Sequence, residues 1–509
     1  MKSGIVGFAI VAVALLAILL RLPTLLYDGI WRDEANVYVE LMAPSFVDFL
    51  HRVSAIDYHP PLYFLLEYAW SKIAGIGELA FEALPFACSI ATVSAVYLLG
   101  KAAASRAVGI VSATFFAVAP LAITYSTDYL YPLATLTYTC LAAAVTIARK
   151  EEPTPRRYAL VCISSLAAVL SHYTALIFIP LLVIWSFLSP RGIKEGARVA
   201  AAIIAGALPF LLWLPVFLHQ HHVGLPYDNP PQFSRSAEFF VAALELLVPV
   251  PPAPIIIAIF SAVLVLPALT LSRDSLKADC FALGLLALCA TAAVSALGGF
   301  STVRYVLPFC TLLYTFFAWL LVSFGRRLRR EDPASWNHWG MPAAVGLAVV
   351  LCAMNARYAL ADAAVPHSGV RTFLASVPSD PGTLYLIAPD YMAPTFAYYA
   401  RTRNVTYVGF ARLEHPEYYV LDGYADLWSD PAVIAQTLHA VAARSRRFRY
   451  LDVVVDSWAH NADRVPFGKV WRLVAELKRR YILISQANYS GRWEPISVYR
   501  FDVDTRMVQ

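Results

Sequence analysis

Adjacent carboxylates Asp33 and Glu34 occur in the run Ile30-Trp31-Arg32-Asp33-Glu34-Ala35, and His59 follows in Asp57-Tyr58-His59-Pro60-Pro61-Leu62-Tyr63. Asp128 stands in Tyr125-Ser126-Thr127-Asp128-Tyr129-Leu130-Tyr131-Pro132, His172 in Ser171-His172-Tyr173, and Arg304 directly before Tyr305. A positioned carboxylate can take the proton of an acceptor hydroxyl as general base. Arginine and histidine can stabilise charge developing on a leaving phosphate. Taken singly, each has a plain structural reading: an acid at a membrane interface, a packed histidine, an arginine snorkelling to headgroups. Taken together, they are a set suited to group transfer on a phosphate-linked substrate, provided that the fold brings them to one place.

The elements that must do so are membrane spans. Hydrophobic residues make up 59% of the 509 residues and charged residues 15%, well below the ~25% charge of a usual soluble protein. The apolar residues gather into about eleven blocks long enough to cross a bilayer, near 4–26, 79–99, 107–124, 132–148, 157–171, 173–189, 197–218, 252–271, 279–298, 303–324 and 340–359. Segment 236–250 carries Glu238 and Glu245 and reads as a helix lying on the membrane surface. The stretch between the first two spans is far longer than a connection needs, and its amphipathic, aromatic runs suit interfacial helices.

Orientation follows from lysine and arginine. One set of loops holds Lys2, Lys101, Arg106, Arg149, Lys150, Arg156, Arg157, Arg191, Lys194, Arg198, Arg273, Lys277, Arg326, Arg327, Arg329 and Arg330. The opposite set holds Arg21, Arg32, Arg52, Lys72, Arg235 and Arg304. The richer set is cytoplasmic by this rule. That puts Asp33, Glu34, His59, Asp128, His172 and Arg304 together on the outer, periplasmic or extracytoplasmic face of a multi-pass plasma (inner) membrane protein. Arg21-Leu22-Pro23 stands where a signal peptide would have its small-residue cleavage site, so the first block reads as a retained anchor.

The chain divides into a membrane region, 1–360, and an outer α/β region, 361–509. In the latter, short apolar runs (Leu384–Ala388, Val405–Phe410, Leu451–Val455, Tyr481–Ile484) alternate with helical patterns (Ala393–Ala400, Ala432–Ala443, Val470–Arg480). The fold class expected is therefore mainly α, polytopic, with a partly parallel sheet in the tail. A net charge of +5 scattered along the chain gives no nucleic-acid footprint. The tail has no G-x-G-x-x-G and no phosphate loop. The cysteines lie in or beside apolar blocks without C-x-x-C spacing, and His219-Gln220-His221-His222 has no carboxylate or cysteine at ligand spacing. No metal site is expected.

Trp31-Arg32-Asp33-Glu34 after the first span, followed by His59-Pro60-Pro61-Leu62-Tyr63, resembles the C-type membrane glycosyltransferases. More narrowly it resembles glycosyltransferase family 39, the dolichyl-phosphate-mannose–protein mannosyltransferase superfamily, with its bacterial relatives that add aminoarabinose or galacturonic acid to lipid A or its core. Tyr125-Ser126-Thr127-Asp128-Tyr129 and Arg304-Tyr305-Val306-Leu307-Pro308 fit the same pattern, and the resemblance covers about residues 1–325. It implies an inverting transfer from a polyprenyl-phosphate-linked sugar to a lipid, polysaccharide or protein acceptor. Asp33 would be the base, Glu34 its support, and Asp128 an organiser of acceptor or sugar. His59, Arg304 and Arg32 would meet the donor phosphate, and Tyr58, Tyr125, His172 and Tyr305 the substrate. No cofactor is expected, and a divalent metal is not required. One departure is that the family's second-loop acid is commonly followed by an arginine, where this chain has Tyr129 and Leu130.

Two other classes compete. A transporter or flippase of lipid-linked saccharide would place polar groups at mid-bilayer and break helices in paired repeats, and no two halves of this chain match. A non-enzymatic membrane sensor with an outer binding region leaves the long first loop unexplained.

Overall fold

The computed structural model describes residues 3–223, 303–331, 365–377, 380–418, 424–457 and 467–503, with isolated positions between. The expected spans 252–271, 279–298 and 340–359 and the surface segment 236–250 lie outside the described residues, apart from such positions.

The first block is helix α1 (Ser3–Tyr27). The long loop after it forms three helices, α2 (Arg32–Leu41), α3 (Phe46–Ile56) and α4 (Leu62–Ala74). Then come α5 (Glu78–Ala103), α6 (Arg106–Val118), α7 (Pro120–Thr124), α8 (Tyr131–Lys150), α9 (Pro155–Ser171), α10 (Ala175–Ser186), α11 (Ile193–Ala207), α12 (Leu214–Val223) and a helix over Leu307–Glu331. Among the described residues, four helical stretches are long and apolar enough to cross a membrane: Gly7–Tyr27, Glu78–Ala103, Tyr131–Lys150 and Ile193–Leu212. The outward face of α1 is bare hydrocarbon, with Phe8 and Leu19 largely exposed, as a lipid-facing surface requires.

Two expected spans are interrupted, both at proline. The block 107–124 breaks at Ala119, whose extended backbone (φ −65°, ψ 123°) is what a residue preceding Pro120 adopts. The carbonyls left over at the end of α6 are met by Arg21, whose guanidinium donates to Ala117 O at 2.7 Å and Phe116 O at 3.0 Å. Arg21 is therefore a buried cap inside the helix bundle, not a loop charge, and its place in the orientation count is corrected. The block 197–218 gives way at Leu208–Leu212 to a 3₁₀ turn before α12, because Pro209 removes a helix donor.

Helices α8 to α11 and the Leu307–Glu331 helix share one apolar core. A second core joins α1, the first-loop helices, α5, α6 and the start of α8. Helices α5 and α6 approach closely because Gly100 and Gly109 face each other, and a Cβ on Gly100 would sit 2.8 Å from the Gly109 Cα.

The tail forms a five-stranded sheet in the order β2-β1-β3-β5-β4, from β1 (Thr383–Ala388), β2 (Thr406–Gly409), β3 (Tyr450–Asp456), β4 (Ile482–Tyr489) and β5 (Ile496–Asp502). β1 pairs in parallel with β2 and β3, and β5 runs antiparallel between β3 and β4. The helices Ala393–Ala400, Val433–Ser445 and Phe467–Arg480 stand where the apolar periodicity puts them. Strand β5 was not anticipated.

Candidate active site

Asp33 sits in the first turn of α2, where the helix N-terminus favours an acid. Trp31, with extended backbone, precedes the helix, and its N–H donates to Glu34 Oε2 at 3.1 Å, closing the helix start. Both Asp33 oxygens are held by guanidinium groups: Arg32 Nε donates to Oδ1 at 3.0 Å and Arg304 Nη1 to Oδ2 at 2.7 Å. Burial works against the Asp33 carboxylate, but Arg304 and Arg32 outweigh it and hold its pKa below the ordinary value. Arg304 comes from the turn Val303–Val306 that leads into the Leu307–Glu331 helix. Its guanidinium lies over the rings of Trp31 and Tyr131, and its Nε has no partner among the described residues.

Asp128, in the turn between α7 and α8, is fully buried, with the Tyr129 backbone N–H and the Trp31 indole N–H close to its carboxylate. Burial raises its pKa to about 7, with Arg304 opposing the rise and Asp33 adding to it. Glu34 is buried too and shifts well upward, first through burial and then through the nearby acids Asp128, Glu82 and Asp28. Asp33 is thus the ionised acid at the rim, 13% exposed, and Asp128 the inner acid that titrates near neutrality. Paired acids with separated pKa values are a common mark of working sites.

The histidines lie beside them. His59 Nδ1 is 2.5 Å from Asp57 Oδ1, and its ring packs against Tyr129 and His172. His172, in the break between α9 and α10, accepts from the Thr174 backbone N–H at Nδ1, 3.1 Å. A neutral ring must then carry its proton on Nε2, which is a buried donor without a partner among the described residues. Burial, followed by His59 and Arg304, pushes the His172 pKa well down, so the ring stays neutral. Tyr131 and Tyr305 pack on His172 and on each other. Buried polar atoms are rarely left unpaired, and Arg304 Nε and His172 Nε2 are two such atoms beside each other's neighbours here, among the described residues.

Asp33, Glu34, Asp128, Arg32, Arg304, His59, His172, Tyr125 and Tyr305 are therefore connected through contacts around one centre. Tyr58 packs instead against the sheet's core. Several partners were not anticipated. Asp57 holds His59, and Gln220 donates to Asp57 O at 2.5 Å while accepting from Tyr173 Oη. The histidine-rich tract thus anchors the His59 turn through its glutamine. No three His, Cys, Asp or Glu side chains gather to hold a metal among the described residues.

The tail also reaches the centre. His367 Nε2 is 3.0 Å from Asp28 Oδ2 and Nδ1 is 3.9 Å from Glu34 Oε2. Trp493 stacks on His367 at 3.8 Å and on Tyr125 at 5.0 Å, and packs against Trp31. Gly29, at φ +72°, makes room here, since a Cβ would sit 2.5 Å from Glu78 Oε1. Asp28 was findable by the logic that singled out Asp33, an acid just past a membrane exit. His367 and Trp493, lone residues in a remote region, carried no local signal.

No protein-family model and no curated protein sequence matches the chain. Solved structures do match. ArnT from Cupriavidus metallidurans in the apo state aligns over 98% of both chains at 12% identity with a TM-score of 0.62. The same enzyme bound to undecaprenyl phosphate aligns over 98% of both chains at 14% identity, TM-score 0.55. The apo Archaeoglobus fulgidus oligosaccharyltransferase aligns over 89% of this chain and 70% of its own at 12% identity, TM-score 0.54. With its apolar helices and outer sheet, this polytopic membrane chain has the GT-C fold seen in these membrane glycosyltransferases.

Proposed function

We propose that the chain is an integral-membrane glycosyltransferase that moves a sugar from a polyprenyl-phosphate donor to an extracytoplasmic acceptor, with inversion at the anomeric carbon. The observation that carries this reading is the meeting of Asp33, Arg304, Arg32 and Asp128 beside the buried donors Arg304 Nε and His172 Nε2, which have no partner among the described residues, in a fold shared with an enzyme that binds undecaprenyl phosphate. Outside the cytoplasm there is no nucleotide-sugar pool, so an activated sugar must arrive on a lipid.

In the proposed reaction the acceptor hydroxyl oxygen bonds to the anomeric carbon and the carbon–oxygen bond to phosphate breaks, its electron pair leaving on the phosphate. Arg304 and Arg32 offset the growing charge on that phosphate, joined by His59 and the Nε2–H of His172. Asp33 receives the hydroxyl proton. When the phosphate draws Arg304 toward itself, the carboxylate loses a guanidinium partner and becomes a better base. Asp128 and Glu34 shape the charge of the centre from behind. The acceptor is a lipid A or core saccharide, another polysaccharide, a protein or a lipid. About eleven spans over 1–360, an outer region over 361–509, and an inner-membrane setting with the site on the periplasmic side belong to the same reading.

The test is purified protein in detergent or nanodiscs with radiolabelled polyprenyl-phosphate sugars and an envelope extract as acceptor. Transfer by the wild type supports the proposal. No binding of undecaprenyl phosphate and no transfer with any such donor would overturn it. Mass spectrometry of envelope glycolipids from cells lacking the protein then identifies the acceptor.

A further inference from the structure

The tail joins the membrane region through a dense set of contacts at the exit of α1. The His367 backbone N–H donates to Asp28 O at 2.7 Å, and its ring faces the carboxylates of Asp28 and Glu34. Arg492 reaches both Asp28 oxygens, at 3.4 and 3.5 Å. The adjoining turn is held at both ends, because Trp493 N and Glu494 N donate to His367 O, while the Glu494 carboxylate accepts from Ser368 and Thr395. Trp493 is thereby fixed with its ring stacked on both His367 and Tyr125, nearly parallel to each (24° and 13°). Tyr125 begins the turn that carries Asp128, and Trp31, packed against Trp493, begins the helix that carries Asp33.

We infer that His367 and Trp493 are positioning residues for the transfer reaction: a clamp from the tail that sets the Asp33 helix start and the Asp128 turn in register. The two acids come from segments 95 residues apart, and Trp493 touches the ring of Trp31, two residues before Asp33, and that of Tyr125, three before Asp128. An aromatic stack of this kind has few rotamers and loses little entropy on ordering, so it suits a part that must hold two catalytic turns within a fraction of an ångström. The tail is then a wall of the site and not a separate recognition module. This inference rests on the glycosyltransferase reading, but part of its test does not.

The test uses the full chain with Trp493→Ala, Trp493→Phe and His367→Gln. Hydrogen exchange followed by mass spectrometry reads the clamp without any substrate. In Trp493→Ala, amides of residues 28–36 and 124–131 should exchange about tenfold faster or more, while those of β1 and β3 stay protected. In the transfer assay, binding of undecaprenyl phosphate should stay within about threefold of wild type, while turnover falls about 10- to 100-fold. Trp493→Phe keeps a ring in the stack and should recover most of that turnover, and His367→Gln should fall between. Unchanged exchange in both segments with wild-type turnover overturns the inference. Faster exchange spread equally through β1 and β3 overturns it too, since Trp493 would then only support the sheet. If Trp493→Ala does not fold, the same two readings on Trp493→Phe and His367→Gln decide. Failure of the wild type to bind undecaprenyl phosphate would instead strike the functional proposal, leaving the exchange result to judge the clamp.

Discussion

Arg304 Nη1 lies 2.7 Å from Asp33 Oδ2, although 271 residues separate them in the chain. The pair ties the first outer loop to the start of the Leu307–Glu331 helix, and both side chains are mostly withdrawn from solvent, at 15% and 13% exposure. A part-buried pair of this kind is sensitive to loss of either member, because the survivor keeps its desolvation cost without its partner.

Arg304→Gln should therefore destabilise the protein by about 3 kcal/mol, with Asp33 left to Arg32 alone. Adding Asp33→Asn should give part of that back, since the stranded charge is then gone. Arg304→Lys should not substitute well, because an ammonium cannot serve Asp33 and lie flat between Trp31 and Tyr131 at once. Thermal unfolding of the two single variants and the double variant checks this. A double variant less stable than Arg304→Gln would contradict it.

Asp33→Asn alone should still fold, at a lower unfolding temperature because Arg304 loses its anion, and should cut transfer by about 100-fold or more, the range for loss of a general base. Binding of polyprenyl phosphate should persist or tighten, since Arg304 is released from its partner. Full turnover in this variant would remove Asp33 as the base.

Asp57→Ala should lower turnover by about tenfold through His59, whose ring it orients. Because Tyr58 N also donates to Asp57 Oδ1 at 2.6 Å, Asp57→Asn, which keeps an acceptor oxygen there, should be milder. Steady-state kinetics of the two variants separates them. Equal loss in both would mean that the charge, not the acceptor, matters.

The rim of the site was legible because membrane physics makes polar residues conspicuous. Asp33, Asp128, His172 and Arg304 stand out in an apolar chain, and the structure brings them together. The tail's strands were legible as short apolar runs between helical patterns. What escaped was contact between distant segments. Strand β5 (Ile-Ser-Val-Tyr-Arg-Phe-Asp) lies only six residues beyond β4, and its pairing with both β3 and β4 depends on tertiary packing. Trp493 and His367 matter through a stack that no spacing announces. Arg21 looked like a loop charge because the unpaired carbonyls it serves are created by Pro120, ninety-nine residues later.

Asp128 offers a test with opposite signs for stability and activity. Its ordinary pKa is 3.8, and burial raises it to about 7 in the folded protein. Between those values the native state holds a proton that the unfolded chain has lost. The contribution of Asp128 to stability then falls as pH rises from about 4 to about 7, and stays lowered above. The charged and titratable groups facing it are Arg304, Asp33, Glu34, Tyr131 and Tyr63, with the Trp31 indole and the Tyr129 N–H as further neighbours. Asparagine is neutral at every pH and close in shape. Asp128→Asn should thus unfold at the same temperature as wild type near pH 4, and at a higher temperature at pH 8, where wild type carries the buried charge. Transfer should fall in the same variant, since the inner acid no longer shapes the charge around Asp33 and Arg304. A gain in stability paired with a loss of activity is the mark of a group kept for function. A variant less stable than wild type at pH 8 would show that the Asp128 carboxylate is instead satisfied by its surroundings.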